Sequence, residues 1–263
     1  MAHSTVFLFD VDNTLLDNDA VTDDLKQHLI DNFGQEPARR YWELFEQLRS
    51  ELGYADYLGA LQRYRIENPR DTGLLRASLY LLHYAFANRV YPGALDAIRH
   101  AEHRGRVAIL SDGDVVFQPR KVERSGLWGA VEGNVLIYIH KEEMLDDVER
   151  RFPAERYVMI DDKIRILTAM KATWGARLTT VFVRQGHYAK QFDAAAALTA
   201  IDPAPDVVIE RIADVLDHDP SDFIAASRDP AVDRPGDCQA ERARRDTAQA
   251  VGERRTAARR LLP

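Results

Sequence analysis

The chain is short of cysteine, of long apolar runs and of surplus positive charge, and each shortage removes a class of protein. Its 263 residues include one cysteine, Cys238, so no internal disulfide can form and a small disulfide-built scaffold is excluded. No apolar run approaches the ~18 residues that span a bilayer. The opening Met1-Ala2-His3-Ser4-Thr5 lacks the basic start and apolar stretch of a secretory signal. A soluble, cytoplasmic protein with no membrane partner is expected. The formal net charge of −7 offers no general attraction for nucleic acid or anionic lipid. Hydrophobic content of 46% is enough for an ordinary core. The length exceeds the common single-domain size, which points to one domain carrying an insertion or a tail.

The most informative stretch that is present begins with Val6-Phe7-Leu8-Phe9, an apolar run of β-formers that reads as a short buried strand. Asp10 and Asp12 follow at its carboxyl end. Buried acids without partners cost several kcal/mol, so a pair in this position suggests a divalent cation or a chemical role.

After Leu15 helical periodicity takes over for about seventy residues. Tyr41, Leu44, Phe45, Leu48 and Leu52 form one apolar face; Leu74, Leu75, Leu79, Leu82 and Phe86 repeat the pattern. Shorter helices are expected around 22–32 and 55–64. From Tyr91-Pro92-Gly93 the pattern alternates between helices and strands. The expected strands are Val107-Ala108-Ile109-Leu110, Val135 to Ile139, Tyr157 to Ile160, Thr179 to Val183 and Val207-Val208-Ile209. Strands separated by helix-length segments imply crossovers and a mainly parallel sheet covered on both faces, an α/β fold. The expected division is a core of residues 1–17 and 88–218, a helical insertion over 18–87, and a charged tail over 219–263. From Arg228 onward that tail has nine arginines against six acids and few large apolar residues, a composition of solvated chain.

In an open parallel sheet the ligand site lies at the carboxyl ends of the strands. The residues there make a coherent set: Asp10 and Asp12, then Ser111-Asp112-Gly113, then His140-Lys141, then Asp161-Asp162, and Arg184 after the next strand. Lys121 is a rival to Lys141, but it falls inside an expected helix, where a lysine usually faces water.

In this order and spacing the chain, from about Val6 to Asp217, resembles the haloacid dehalogenase superfamily of hydrolases. Its first motif matches Asp10-Val11-Asp12-Asn13-Thr14, its second Ser111, its third a lysine, and its fourth the paired acids Asp161-Asp162. The helical insertion resembles the superfamily's C1-type cap on a Rossmann-like core. The resemblance implies Asp10 as a nucleophile that forms an aspartyl-phosphate, and Asp12 as general acid and base. It implies Lys141 and Ser111 at the phosphoryl oxygens, with the Asp112 loop beside them. Thr14 would lend a hydroxyl near phosphate or tie down the loop. Mg²⁺ would be held by the Asp10 carboxylate, the Asp12 backbone carbonyl and one or both of Asp161 and Asp162. The true dehalogenases generally lack the second Asp of the first motif, so Asp12 points to phosphate ester chemistry.

The implied activity is a Mg²⁺-dependent phosphatase for a small soluble phosphomonoester. A phosphomutase would use the same residues. A non-catalytic protein that keeps the fold is a further alternative, set against the intact Asp10, Asp12, Ser111 and Asp161, and a dehalogenase is the third. His83, Tyr84, Arg39-Arg40 and Arg63-Tyr64-Arg65 read as ordinary core or solvated face. Oligomeric partners and the natural substrate are not legible.

Overall fold

The computed structural model describes residues 3–190 and 201–227. Six strands, β1 (His3–Phe9), β2 (Arg106–Asp112), β3 (Val135–Tyr138), β4 (Ala154–Asp161), β5 (Leu178–Val183) and β6 (Val207–Ile209), form one sheet in the order β3-β2-β1-β4-β5-β6. Every neighbouring pair is parallel. The α/β expectation holds, and the physical cause is visible strand by strand. Val6, Leu8, Phe7 and Phe9 are all essentially unexposed, because helices cover both faces of the sheet. One face packs Phe7, Phe9, Ile109 and Val181; the other packs Val6, Leu8, Met159 and Phe182.

Strand order reverses around β1: β2 and β3 lie on one side of it, β4 to β6 on the other. The carboxyl end of β1 therefore opens at the switch point of the sheet, where a ligand crevice forms.

Between β1 and β2 come α1 (Asn18–Phe33), α2 (Gln35–Leu52), α3 (Tyr57–Glu67), α4 (Leu74–His83) and α5 (Ala94–Glu102). The first four make the helical insertion. It is entered and left through neighbouring strands of chain: Asp17 N–H donates to Arg89 C=O at 2.7 Å and Tyr91 N–H to Leu15 C=O at 2.9 Å. The first helix begins at Asn18 rather than near Thr22, because the Asp17 carboxylate accepts from Ala20 N–H and caps it there. In α4 the apolar stripe differs from the one expected. Ala77 and Leu81 are buried, while Leu75 and Leu79 are 66% and 53% exposed. The helix carries leucines on two faces, and periodicity alone does not say which one packs.

The remaining helices are α6 (Phe117–Arg124), α7 (Leu127–Ala130), α8 (Leu145–Arg151), α9 (Ile164–Trp174), α10 (Gly186–Lys190) and α11 (Pro220–Ala225). The last of these stands inside the stretch read as solvated tail, and it corrects that boundary. Asp219 caps it, Pro220 occupies its first turn, and Phe223 is buried beneath it. Ser227 Oγ then bonds the carbonyls of Ala176 and Leu178. The segment from Arg228 on, with Cys238, lies outside the described residues. No helix among the described residues is long and apolar enough to cross a membrane.

Candidate active site

The chain leaves β1 through a tight turn. Asn13 sits at φ 61°, and the N–H groups of Thr14, Leu15 and Leu16 all point to the Val11 carbonyl. The turn delivers Asp10 and Asp12 in different directions. Asp10 is 1% exposed, and its N–H bonds the Ile160 carbonyl of β4 at 3.0 Å. The Asn13 side chain accepts from the N–H groups of Asn18 and Asp19, tying the turn to the start of α1. Gly186 packs against that same side chain so closely that a Cβ would lie 2.5 Å from it, and its φ of +70° also favours glycine.

Around Asp10 the strand ends converge. Lys141 is fully buried, and its Nζ lies 2.5 Å from Asp10 Oδ1, 2.7 Å from Asp161 Oδ2 and 3.2 Å from the Leu110 carbonyl. Ser111 Oγ reaches Asp10 Oδ1 at 3.4 Å and accepts from Gln118 Nε2 at 3.0 Å. Gln118 thereby orients the Ser111 hydroxyl so that its proton is directed toward Asp10. The Asp112 carboxylate accepts from Lys141 N–H at 2.9 Å. It fixes the lysine's backbone. Burial pushes the Asp112 carboxyl up, against the pull of Lys141.

Asp10, Asp161 and Asp162 complete the cluster, offering ligand oxygens that all lie within 4.8 Å of one another. Asp10 Oδ2 and both oxygens of Asp162 are buried and accept no hydrogen bond among the described residues. Burial raises the Asp161 carboxyl to about 6, and Asp162 well above its ordinary value. Unpartnered, closely spaced carboxylate oxygens are the donor set of a hard divalent cation, so these residues fit Mg²⁺. For Lys141, burial works against the charged form, but Asp10 and Asp161 outweigh it and hold the ammonium well above its usual range.

Asp12 points elsewhere. Its side chain is 23% exposed and is gripped by Lys121 Nζ at 2.7 and 2.9 Å, while the same ammonium donates to Asn18 Oδ1 at 2.9 Å. The expectation that Lys121 faces water is therefore corrected. Its stem is buried along α6 and its charge is spent on Asp12. A signal was present in the sequence: Lys121 stands four residues after Phe117 and three after Gln118, on the face that packs inward. Thr14 is wholly buried in the turn, and its Oγ1 has no hydrogen-bond partner among the described residues.

Above the cluster lies a cleft of about 710 Å³ between the helical insertion and the sheet. Asp12, Asp112, Gly113 and Lys163 form its lower end, directly beside the buried acids. The insertion contributes Trp42, Arg49 and Tyr54; α10 contributes His187 and Tyr188. Ties that cross from insertion to core at the cleft include Arg49 to Tyr188 Oη at 3.1 Å and His187 Nδ1 to Asp19 at 2.6 Å, besides Lys121 to Asn18. Arg39, Arg40 and Arg63 instead pair with Glu36, Glu67 and Glu51 outside the cleft, as solvated helix faces do.

A parallel α/β sheet with a lysine and three acids buried at its switch point, under an inserted helical layer, defines a class of hydrolase. The family model for haloacid dehalogenase-like hydrolases matches residues 5–172, and the chain belongs to that family. A Burkholderia xenovorans protein described as a haloacid dehalogenase-like hydrolase is 64% identical, with a TM-score of 0.77 over 82% of this chain and 99% of that one. Two more distant structures share the fold. A hydrolase from Bacillus subtilis bound to magnesium is 16% identical, with a TM-score of 0.56 over 81% of this chain and 97% of its own. L-2-haloacid dehalogenase from Xanthobacter autotrophicus is 18% identical, with a TM-score of 0.53 over 82% and 97%. No curated protein matches the chain.

Proposed function

We propose that this hydrolase is a Mg²⁺-dependent phosphatase for small phosphomonoesters, working through an aspartyl-phosphate on Asp10. The observation that carries the reading is Asp12: a partly exposed carboxylate at the bottom of the cleft, two residues from the buried Asp10 and held in place by Lys121. An alkoxide leaving group needs a proton and a halide does not, so a positioned carboxyl here favours ester cleavage over carbon–halogen cleavage.

Asp10 Oδ2, the oxygen not bonded to Lys141, attacks phosphorus, and the ester oxygen leaves with a proton from Asp12. Asp12 then takes a proton from the water that cleaves the acyl phosphate, which regenerates Asp10. Lys141 and Ser111 face the charge that develops on the equatorial oxygens, where catalysis of phosphoryl transfer mostly arises. A divalent cation on Asp10, Asp161, Asp162 and the Asp12 carbonyl would neutralise the repulsion between carboxylate and phosphate.

The direct test measures phosphate release from a panel of phosphomonoesters, with and without Mg²⁺, beside chloride release from 2-chloropropionate. Metal-dependent phosphate release with no chloride is expected. Chloride release alone would make the chain a dehalogenase, like the Xanthobacter structure it resembles in fold. A phosphosugar that is isomerised without losing phosphate would make it a mutase.

Lys121 provides a second check. Lys121→Met frees the Asp12 carboxylate from its two-point grip, and misplacement of a proton-transfer group by an ångström can cost ~10²-fold. A fall in kcat of that order with KM little changed is expected, with partial recovery in Lys121→Arg. An unchanged kcat would remove Lys121 from the mechanism.

A further inference from the structure

The cleft has a wall whose composition bears on the substrate. Trp42 and Phe45 of α2, Tyr57 of α3 and Phe117 of α6 form a continuous file of rings. Their successive centroids lie 5.1, 4.8 and 5.2 Å apart. All four residues line the cleft. The file ends beside the proton-transfer group, since Lys121, which holds Asp12, sits over the Phe117 ring at 5.3 Å. Tyr54 adds a half-buried ring to the lining, as does Tyr188, whose Oη is held by Arg49. Phe45, Tyr57 and Phe117 are buried, while the Trp42 ring is only partly so, and its indole N–H has no acceptor among the described residues.

The charges of the cleft are balanced. Five carboxylates, on Asp12, Asp19, Asp23, Glu46 and Asp112, stand against five lysines and arginines. Four of those cations are already paired: Lys26 with Asp23, Arg49 with Glu46, Lys121 with Asp12, and Arg165 with Glu142. The fifth, Lys163, adjoins the acid cluster. Its ammonium lies over the Tyr188 ring, 5.4 Å from the centroid, at the lower end of the cleft where the phosphoryl group would sit. Along the ring file the nearest cations, Lys26 over Trp42 at 5.6 Å and Lys121 over Phe117, are both paired with carboxylates among the described residues.

We propose that the ester this cleft selects is that of a ring-bearing, otherwise uncharged alcohol, with the ring lying along the Trp42–Phe45–Tyr57–Phe117 wall. The inference rests on the phosphatase reading and narrows it. When the phosphoryl group sits at Asp10, the leaving oxygen faces Asp12, so the rest of the alcohol extends along the wall. A planar ring gains contact area and edge-to-face geometry there. A carboxylate or second phosphate would meet acids and cations already paired with one another, and would lose its hydration for no return.

Three esters with alkyl leaving groups separate these effects: 2-phenylethyl phosphate, ethyl phosphate and 2-phosphoglycolate, each measured with Mg²⁺. The ring ester is expected to exceed ethyl phosphate about tenfold in kcat/KM, chiefly through KM, since one well-packed ring is worth a factor of this order. Phosphoglycolate should fall below ethyl phosphate. In Trp42→Leu and, independently, Tyr54→Leu, the ratio between the ring ester and ethyl phosphate should shrink severalfold. Ratios within about twofold in the wild type, or a preference for phosphoglycolate, overturn the proposal.

Dissociation constants for 2-phenylethylphosphonate and ethylphosphonate, which cannot be hydrolysed, keep the two readings apart. Tighter binding of the ring phosphonate with no ester hydrolysed leaves the ring selectivity standing and removes the phosphatase. Hydrolysis of all esters alike, with equal phosphonate affinities, does the reverse. No hydrolysis together with equal or absent binding removes both.

Discussion

Asp10→Asn is expected to lower phosphate release by ~10⁴-fold or more while the protein stays folded, which is the scale on which enzymes lose activity with their nucleophile. The substitution keeps the shape of the side chain but removes the anionic oxygen that attacks phosphorus. Asp10 Oδ2 has no hydrogen-bond partner among the described residues, so an amide nitrogen there breaks no existing bond. Lys141 loses one anionic partner and keeps Asp161 at 2.7 Å. One of three crowded acids is neutralised, so thermal stability without metal should hold or rise. Parallel melts and phosphate assays check both halves. Residual activity above about 1% of wild type would mean that another group attacks phosphorus, because the barrier lost with a nucleophile is several kcal/mol. Acid quenching of the wild type should also trap phosphate on Asp10, and the variant should trap none.

Much of this site was legible because parallel sheets put chemistry where strands end. Asp10, Ser111, Lys141, Asp161 and Asp162 each follow or close an apolar run that can only be a buried strand, and β1, β2 and β4 bring their ends together. Lys141 was distinguished from Lys121 on the same ground, since one follows a strand and the other lies in a helix. What escaped was the consequence of helix packing. The inward face of α6 is set by contact with the nucleophile turn, so Lys121 is buried on Asp12 although it carries a full charge. The aromatic wall is built from three separate helices, and only their tertiary crossing places Trp42, Tyr57 and Phe117 in one file. The end of the fold escaped for another reason. The Asp219-Pro220 start signal and the short Phe223-Ile224 pair of α11 stand directly before a long charged segment whose composition dominates the reading of that stretch.

Lys141→Met should damage both chemistry and stability, and the stability loss should depend on pH in a definite sense. Lys141 is the only ammonium that bridges Asp10 and Asp161 among the described residues, and it is wholly shut from water. Removing one member of a buried ionic group leaves the others uncompensated, at a cost of ~3–5 kcal/mol. That cost applies only while the acids are ionised. Burial holds Asp161 at about 6 and Asp162 well above its ordinary value even with the lysine present. A carboxyl raised in the folded state stabilises it at low pH, and that contribution is lost as pH rises through the folded value. Without Lys141 the values move further up, so the deficit against wild type should be small near pH 4.5 and grow toward pH 7.5. Mg²⁺ should recover part of it, by putting a cation among the same oxygens, while kcat stays ~10³-fold down or more for lack of the charge on the phosphoryl oxygens. Urea unfolding at both pH values, with and without Mg²⁺, reads all of these together. A deficit equal at both pH values would show that the lysine stabilises the fold through packing rather than through the acids it joins.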